Sequence, residues 1–360
     1  QALSQLDGED ATDASKGAFQ FMSDFLNLML DPSTGGSAIG AGGNALGFQP
    51  EQDATLPPEI VSAYNAMLAK APPKPQSFDQ RWTAWGSAFG GASHLDGDPV
   101  AGTNTVNASD FGFAGGMDYR LSPSAILGFA LAGGGTNWNL DQNLGSGRSD
   151  AFQAGVYAKA HSGPAYLSAA LSFANHWFTT QRTSALGDQL QGKFMGQSVG
   201  GRLEAGYRFG LPSTAYVAGL TPYAAVQAQN FHTSAFSEAD LTAGGFGLNF
   251  AAMNATDTRS ELGMRADDLA MLGAMPLILR GRLAWAHDWV SNPALGAAFQ
   301  TLPGASFIVN GAAPPKNSAL TTASAELRMT ENWSMLAKFN GEFGKGAQTY
   351  GGTGTLRYAW

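Results

Sequence analysis

The chain of 360 residues is long enough for one large domain or two ordinary ones. Only 13% of its residues are charged, 47 are glycine and 44% are hydrophobic, so it is poor in charge without being rich in apolar residues. No apolar run approaches the length of a membrane helix, which excludes helical spans but not spanning strands. The absence of cysteine excludes thiolate catalysis, thiolate metal sites and disulfides, and the net charge of -8 with no basic run excludes a nucleic-acid footprint.

The acidic surplus sits at the front: residues 1–80 carry ten Asp/Glu against three Lys/Arg, and the remainder is nearly balanced. The chain opens at Gln1 without a basic or apolar leader pattern, as expected of a processed chain or a piece of a longer one. In "DASKGAFQFMSDFLNLMLDP" apolar residues recur at Ala18, Phe21, Met22, Phe25, Leu26 and Met29, which predicts an amphipathic helix with Asp13 as cap and Pro32 as stop. A glycine-rich stretch follows, and "PPEIVSAYNAMLAKAPPKP" predicts a second, shorter helix from about Pro58 to Lys70 within a Gly/Pro-rich linker spanning 32–79.

From Gln80 onward the texture changes to strands separated by turn signals, near 81–92, 107–120, 124–137, 148–161, 165–181, 191–209, 216–231, 254–268, 276–290, 317–329, 332–344 and 350–360. In "GQSVGGRLEAGYRF" Ser198, Arg202, Glu204 and Arg208 share one parity, while Val199, Leu203, Tyr207 and Phe209 share the other. The same split separates Arg280 and Arg282 from Leu279 and Leu283, and Glu326 and Arg328 from Leu327 and Met329. Tight connections such as "RLSPS" and "HSGP" follow even strands, and the long segments 93–106, 232–253 and 291–316 follow odd ones. That alternation predicts an all-β fold: a 12-stranded antiparallel transmembrane barrel with one short-turn rim and one long-loop rim. Trp138, Phe178, Trp289, Trp333 and Phe343, near strand ends, are expected to form interfacial aromatic girdles. The parity places Arg202, Glu204, Arg208, Glu261, Arg265, Arg280, Arg282, Glu326, Arg328, Lys338 and Glu342 toward a hydrated lumen.

Three tempting motifs have plainer readings. "GQSVG" matches a nucleophile elbow, but Ser198 lies inside an alternating strand rather than at a strand-to-helix turn, and His287 has the opposite parity. "GAGGNA" at 40–45 mimics a dinucleotide fingerprint with no strand before it. The histidines His94, His161, His176, His232 and His287 are scattered singly, which suits loop, rim or interface positions rather than a metal site.

From "RWTAWGSAFGG" through "GGRLEAGYRF" to the terminal "LRYAW", residues 80–360 resemble the β-domain of an autotransporter, the translocator of type V secretion. The resemblance implies an outer-membrane translocator that carries its own N-terminal passenger to the cell surface, with no enzymatic activity and no cofactor. Residues 1–31 would be the passenger end or junction. It implies outer-membrane lipids, the barrel assembly machinery and periplasmic chaperones as further partners of a monomeric barrel, with Leu356, Tyr358 and Trp360 as the assembly signal. A diffusion porin, or less readily a membrane-barrel hydrolase, is the alternative.

Some members of the family release the passenger at a helix asparagine in the pore, for which Asn27 is the candidate. It precedes Leu28 rather than a second asparagine, and a polar position on an amphipathic helix is the plainer reading. Because strand one begins at the short-turn rim, a segment must thread the lumen. The helix with Glu59, Ser62, Asn65 and Lys70 is expected there, and the more apolar helix 14–30 outside it or against the passenger end.

Overall fold

The computed structural model describes residues 5–31, 81–211, 218–291 and 294–360. The "GAGGNA" stretch and the expected pore helix with Glu59, Ser62, Asn65 and Lys70 lie outside the described residues.

Among the described residues one α-helix, α1 (Asp13–Leu30), precedes the sheet. The barrel is then built in chain order from β1 (Trp82–Leu95), β2 (Val106–Ser122), β3 (Ala125–Leu140), β4 (Ser146–Ser162), β5 (Ala165–Thr183) and β6 (Gln189–Tyr207). It continues through β7 (Ala218–Thr233), β8 (Met253–Leu272), β9 (Met275–Val290), β10 (Asn317–Arg328), β11 (Trp333–Gly344) and β12 (Ala347–Ala359). These are the twelve antiparallel strands expected from the alternation. β12 returns to β1 in a register running from Thr83↔Ala359 to Leu95↔Ala347. The Trp82 and Trp360 backbones exchange hydrogen bonds of 3.2 and 3.0 Å. The terminal strand therefore has no free edge, the condition a spanning sheet must meet where no water can satisfy its amides.

The wall is inside out relative to a soluble barrel. Along β5, Ala170, Ala174, His176 and Phe178 are buried, whereas Leu167, Leu171, Phe173 and Trp177 are exposed. Outward parity also holds Leu356, Tyr358 and Trp360, with the Tyr358 ring 4.8 Å from Trp333 and 5.6 Å from Trp360 between ring centres. Trp289, Trp333 and Phe343 face outward as girdle residues do, but Trp138 and Phe178 do not: both are buried inside the barrel. Trp138 shares its parity with Ala130 and Ala132, so the pleat turns it inward whatever its distance from the strand end.

The long segments are not plain loops. Phe236–Asp240, Leu248–Phe250, Leu295–Phe299 and Leu302–Val309 form short strands paired in that order at the long-loop rim. Leu248, Phe250, Leu295 and Val309 turn one apolar face down onto Ala11 and Ala14. Burial against the start of α1 supplies the second layer that a short hairpin needs.

Candidate functional site

α1 lies inside the barrel, which corrects the expectation that helix 14–30 packs outside the lumen. Its 18 residues at about 1.5 Å each span roughly 27 Å, matching the apolar band of a membrane barrel. Phe21, Met22, Phe25, Leu26 and Met29 are fully buried against Trp85, Phe89, Ala114, Ala130, Ala132, Ala151, Ala170 and Ala174. The lumen is thus two walls of different chemistry. β1 to β5 line it with many small and aromatic side chains that accept the apolar face of α1, with Asp118, Lys159 and Arg182 set among them, and β6 to β12 carry most of the charge.

Close approach is built into the wall. A Cβ at Gly155 would come within 2.7 Å of the Met29 methyl group, and one at Gly200 within 3.1 Å of Met22 Cγ. Elsewhere inward rings lie flat over a neighbouring strand's glycine, as Phe231 does over Gly196 and Tyr157 over Gly128. The rings are thereby kept close to the wall, leaving room for a helix about 10 Å across.

The polar side of α1 is anchored at several heights. Midway down, Ser23 Oγ accepts from Gln227 and Gln229, each at 2.9 Å, while Gln20 and Asp24 bond to each other along the helix at 3.0 Å. At its lower end Lys159 Nζ donates to the Asp31 carbonyl and Lys338 Nζ pairs with the Asp31 carboxylate, both at 2.7 Å. Two cations thus meet the negative end of the helix dipole.

The charged residues selected by parity are placed as follows. Arg202 grips Glu261 with two hydrogen bonds of 2.7 and 2.8 Å and reaches Glu204 at 3.1 Å. Arg265 holds the other side of Glu204 at 2.6 and 2.9 Å, and Arg282 stands 3.8 Å from Glu261. Arg280 pairs with Glu326 at 2.8 Å, and Arg328 lies 3.9 Å from the same carboxylate. Glu342 pairs with Arg259 at 2.7 Å, and Arg208 pairs with Asp267 at 2.6 Å near the short-turn rim. The parity list omitted Arg259, Lys159, Arg182 and Arg357. Arg259 shares its parity with Glu261 and Arg265, so the signal was present in "TRSELGMRAD". Leu28, Asn27 and Asp31 border a cavity of about 140 Å³ between α1 and this charged wall.

Ser198 is buried facing inward, and His287 faces outward beside Asn317, so the two stand on opposite faces of the wall. His176 is the correction among the histidines: it is fully buried in the lumen, stacked on Phe178, with Ser198 Oγ 3.4 Å from its Nε2. Its Nδ1 has no hydrogen-bond partner among the described residues. Among the described residues no carboxylate orients this ring, and the pair lacks the third group that a serine–histidine nucleophile needs.

At the long-loop mouth, residues ahead of α1 are clamped by the upper ends of β3 and β5 and by the loop after β1. Trp138 Nε1 donates to the Asp10 carbonyl at 2.9 Å, Arg182 Nη1 to the Gln5 carbonyl at 3.0 Å, and Asn104 donates twice to the Glu9 carboxylate at 2.9 and 2.6 Å. Burial pushes Glu9 up to about 7 against the pull of the Asn104 donors, and pushes Asp7 up to about 6. Both folded values lie above the usual carboxylate range, so the docked mouth binds more protons than the undocked one. Its docking is therefore strongest in acid and is lost as pH rises through about 6 to 7. Hydrogen exchange at the amides of residues 5–12 should accelerate between about pH 5 and pH 8, beyond the intrinsic pH effect. Glu9→Gln should flatten most of that excess; an unchanged profile would remove Glu9 from the cause.

The autotransporter β-domain family profile matches residues 84–340. The extracellular serine protease of Serratia marcescens is 24% identical over 270 residues, a match covering 74% of this chain and 25% of that protein. The chain thus spans about a quarter of the curated relative it matches. Among solved structures, the translocator domain of autotransporter NalP from Neisseria meningitidis superposes with a TM-score of 0.62 at 12% identity, covering 84% of this chain and 94% of that one. The β-domain of the Bordetella autotransporter BrkA gives 0.59 at 17% identity, covering 78% and 100%. The transport unit of AIDA-I from Escherichia coli gives 0.53 at 15%, covering 83% and 97%. With the closed barrel, the helix in its lumen and the family match over most of its length, the chain belongs to the autotransporter β-domain family, the translocator barrels of the bacterial outer membrane.

Proposed function

We propose that this barrel conducts the polypeptide joined upstream of it from the periplasm to the cell surface and afterwards anchors it, with α1 as the segment left in the pore. One observation carries the reading: α1 descends the lumen from the long-loop mouth, where Gln5 and Asp10 are held, while β1 begins at the short-turn rim at Trp82. In outer-membrane barrels short turns are periplasmic and long loops extracellular. A chain attached ahead of Gln5 then emerges outside, and its connection to β1 runs through the barrel. The paired Arg and Glu rows suit that task, because a wall with its charges mutually satisfied offers a passing chain few strong binding sites. A porin reading is disfavoured by a helix packed along the lumen, and the orphaned His176 Nδ1 gives no support to catalysis by the barrel itself.

The test is a fusion of a disordered, protease-sensitive reporter ahead of Gln1, expressed in a Gram-negative host. Protease added to intact cells should degrade the reporter. Barrel assembled in the outer membrane with the reporter retained in the periplasm would defeat the proposal.

The same reading assigns the terminal aromatic to assembly. Trp360→Ala keeps the backbone bonds to Trp82 and should lower the barrel in the outer membrane several-fold, with little change in the unfolding midpoint of what does assemble. Equal membrane levels of variant and parent would remove the sorting role.

A further inference from the structure

In the twelve strands, every arginine and lysine has inward parity except Arg148 on β4 and Lys193 on β6. These two are neighbours: the pairing runs Arg148↔Thr179 and Thr179↔Lys193, so they flank one threonine on the outer face. At the ordinary strand spacing their backbones are about 10 Å apart. Neither makes a hydrogen bond or ion pair with a described residue, in contrast to the paired cations of the lumen.

Their depth is fixed by the rows on either side. The next outward row toward the membrane centre is Asp150↔Trp177↔Met195, where the apolar band begins with an interfacial tryptophan. The next row toward the long loops is Ser146↔Gln181↔Gln191, neutral and hydrogen-bonding. Two unpaired cations therefore stand at the boundary between acyl chains and headgroups in the outer leaflet. Solvated rim charges would be tolerated at this depth. Solvation alone does not account for all of the outward strand cations meeting on one patch, directly over an apolar wall.

We propose that this patch binds a phosphorylated glycolipid of the outer leaflet. Arg148 and Lys193 hold phosphate, Gln181 and Gln191 hydrogen-bond sugar hydroxyls, and the acyl chains lie along Trp177 and Met195. Asp150, one pleat below Arg148 on the same face, opposes the phosphate. The inference is independent of any passenger and rests on the outer face alone.

The full chain, folded in neutral detergent, is titrated with bis-phosphorylated lipid A and with the same lipid stripped of phosphate, and native mass spectrometry counts the retained lipid. The phosphorylated form should be retained preferentially, and Arg148→Gln with Lys193→Gln should weaken its binding roughly 30-fold, as two cations at an anionic leaflet imply. Lys345→Gln, a cation in another turn of the same rim, should leave it unchanged, and Asp150→Asn should strengthen it. Millimolar inorganic phosphate should not displace the lipid. The proposal fails if the double variant binds as the parent does, if the stripped lipid binds equally, or if Lys345→Gln matters as much. It fails likewise if Asp150→Asn has no effect, or if free phosphate displaces the lipid and reveals an ion site only. Heat-modifiable migration checks that each variant is folded.

Discussion

Deleting residues 13–31 is expected to turn a nearly silent barrel into a steady ohmic pore in planar bilayers. With α1 in place, what remains beside it includes cavities of about 140 and 180 Å³. Either is roomy enough to hold several waters, since about 10–15 Å³ already admits one. α1 is not expected to leave spontaneously during a recording. Five fully buried large side chains, at about 1.5–3 kcal/mol each, hold it with on the order of 10 kcal/mol before any ordering cost. The barrel itself should survive the deletion, since the strand ladder closes through β1 and β12 without α1. Deleting residues 55–72 is the companion measurement and should leave conductance low. Current through the second variant and not the first would mean that α1 is not the plug.

The barrel was legible because lipid and lumen impose opposite chemistries on alternate residues. The strands expected at 165–181 and 276–290 are Ala165–Thr183 and Met275–Val290. α1 was legible as a helix but misplaced, and the reason lies in β2 to β5. On β3 of that wall both faces are apolar from Ile126 to Gly134, so a polarity test is blind there. The faces differ in size instead: Phe129 and Leu131 point out, Ala130 and Ala132 point in. Reading bulk in place of polarity along "ILGFALAGG" would have shown a wall recessed to receive an apolar helix, and would have turned Trp138 inward. The short strands over the mouth were hidden for another reason. Leu248, Phe250 and Val309 acquire a buried side only once residues 11–14 are beneath them, and no local pattern carries that information.

Arg202→Ala is expected to be the most damaging single change in the charged wall, costing about 3–5 kcal/mol of stability, the range for removing one partner of a buried pair. Arg202 ties β6 to β8 across β7, and its side chain and those of Glu204 and Glu261 are 1–2% exposed. After the substitution Glu204 keeps Arg265 at 2.6 Å, but Glu261 retains only Arg282 at 3.8 Å and the Tyr223 hydroxyl at 3.3 Å. The cavity beside α1 borders Glu261, and water there would hydrate the stranded carboxylate in part. Its near-complete burial argues that this relief is small. Arg202→Met combined with Glu261→Gln removes both charges and keeps the volume, so the double variant should recover at least half of the loss. Guanidinium unfolding in detergent micelles, followed by tryptophan fluorescence, reads the difference. If the single and double variants unfold at the same midpoint, the cost comes from packing around the Arg202 side chain rather than from an unpaired charge.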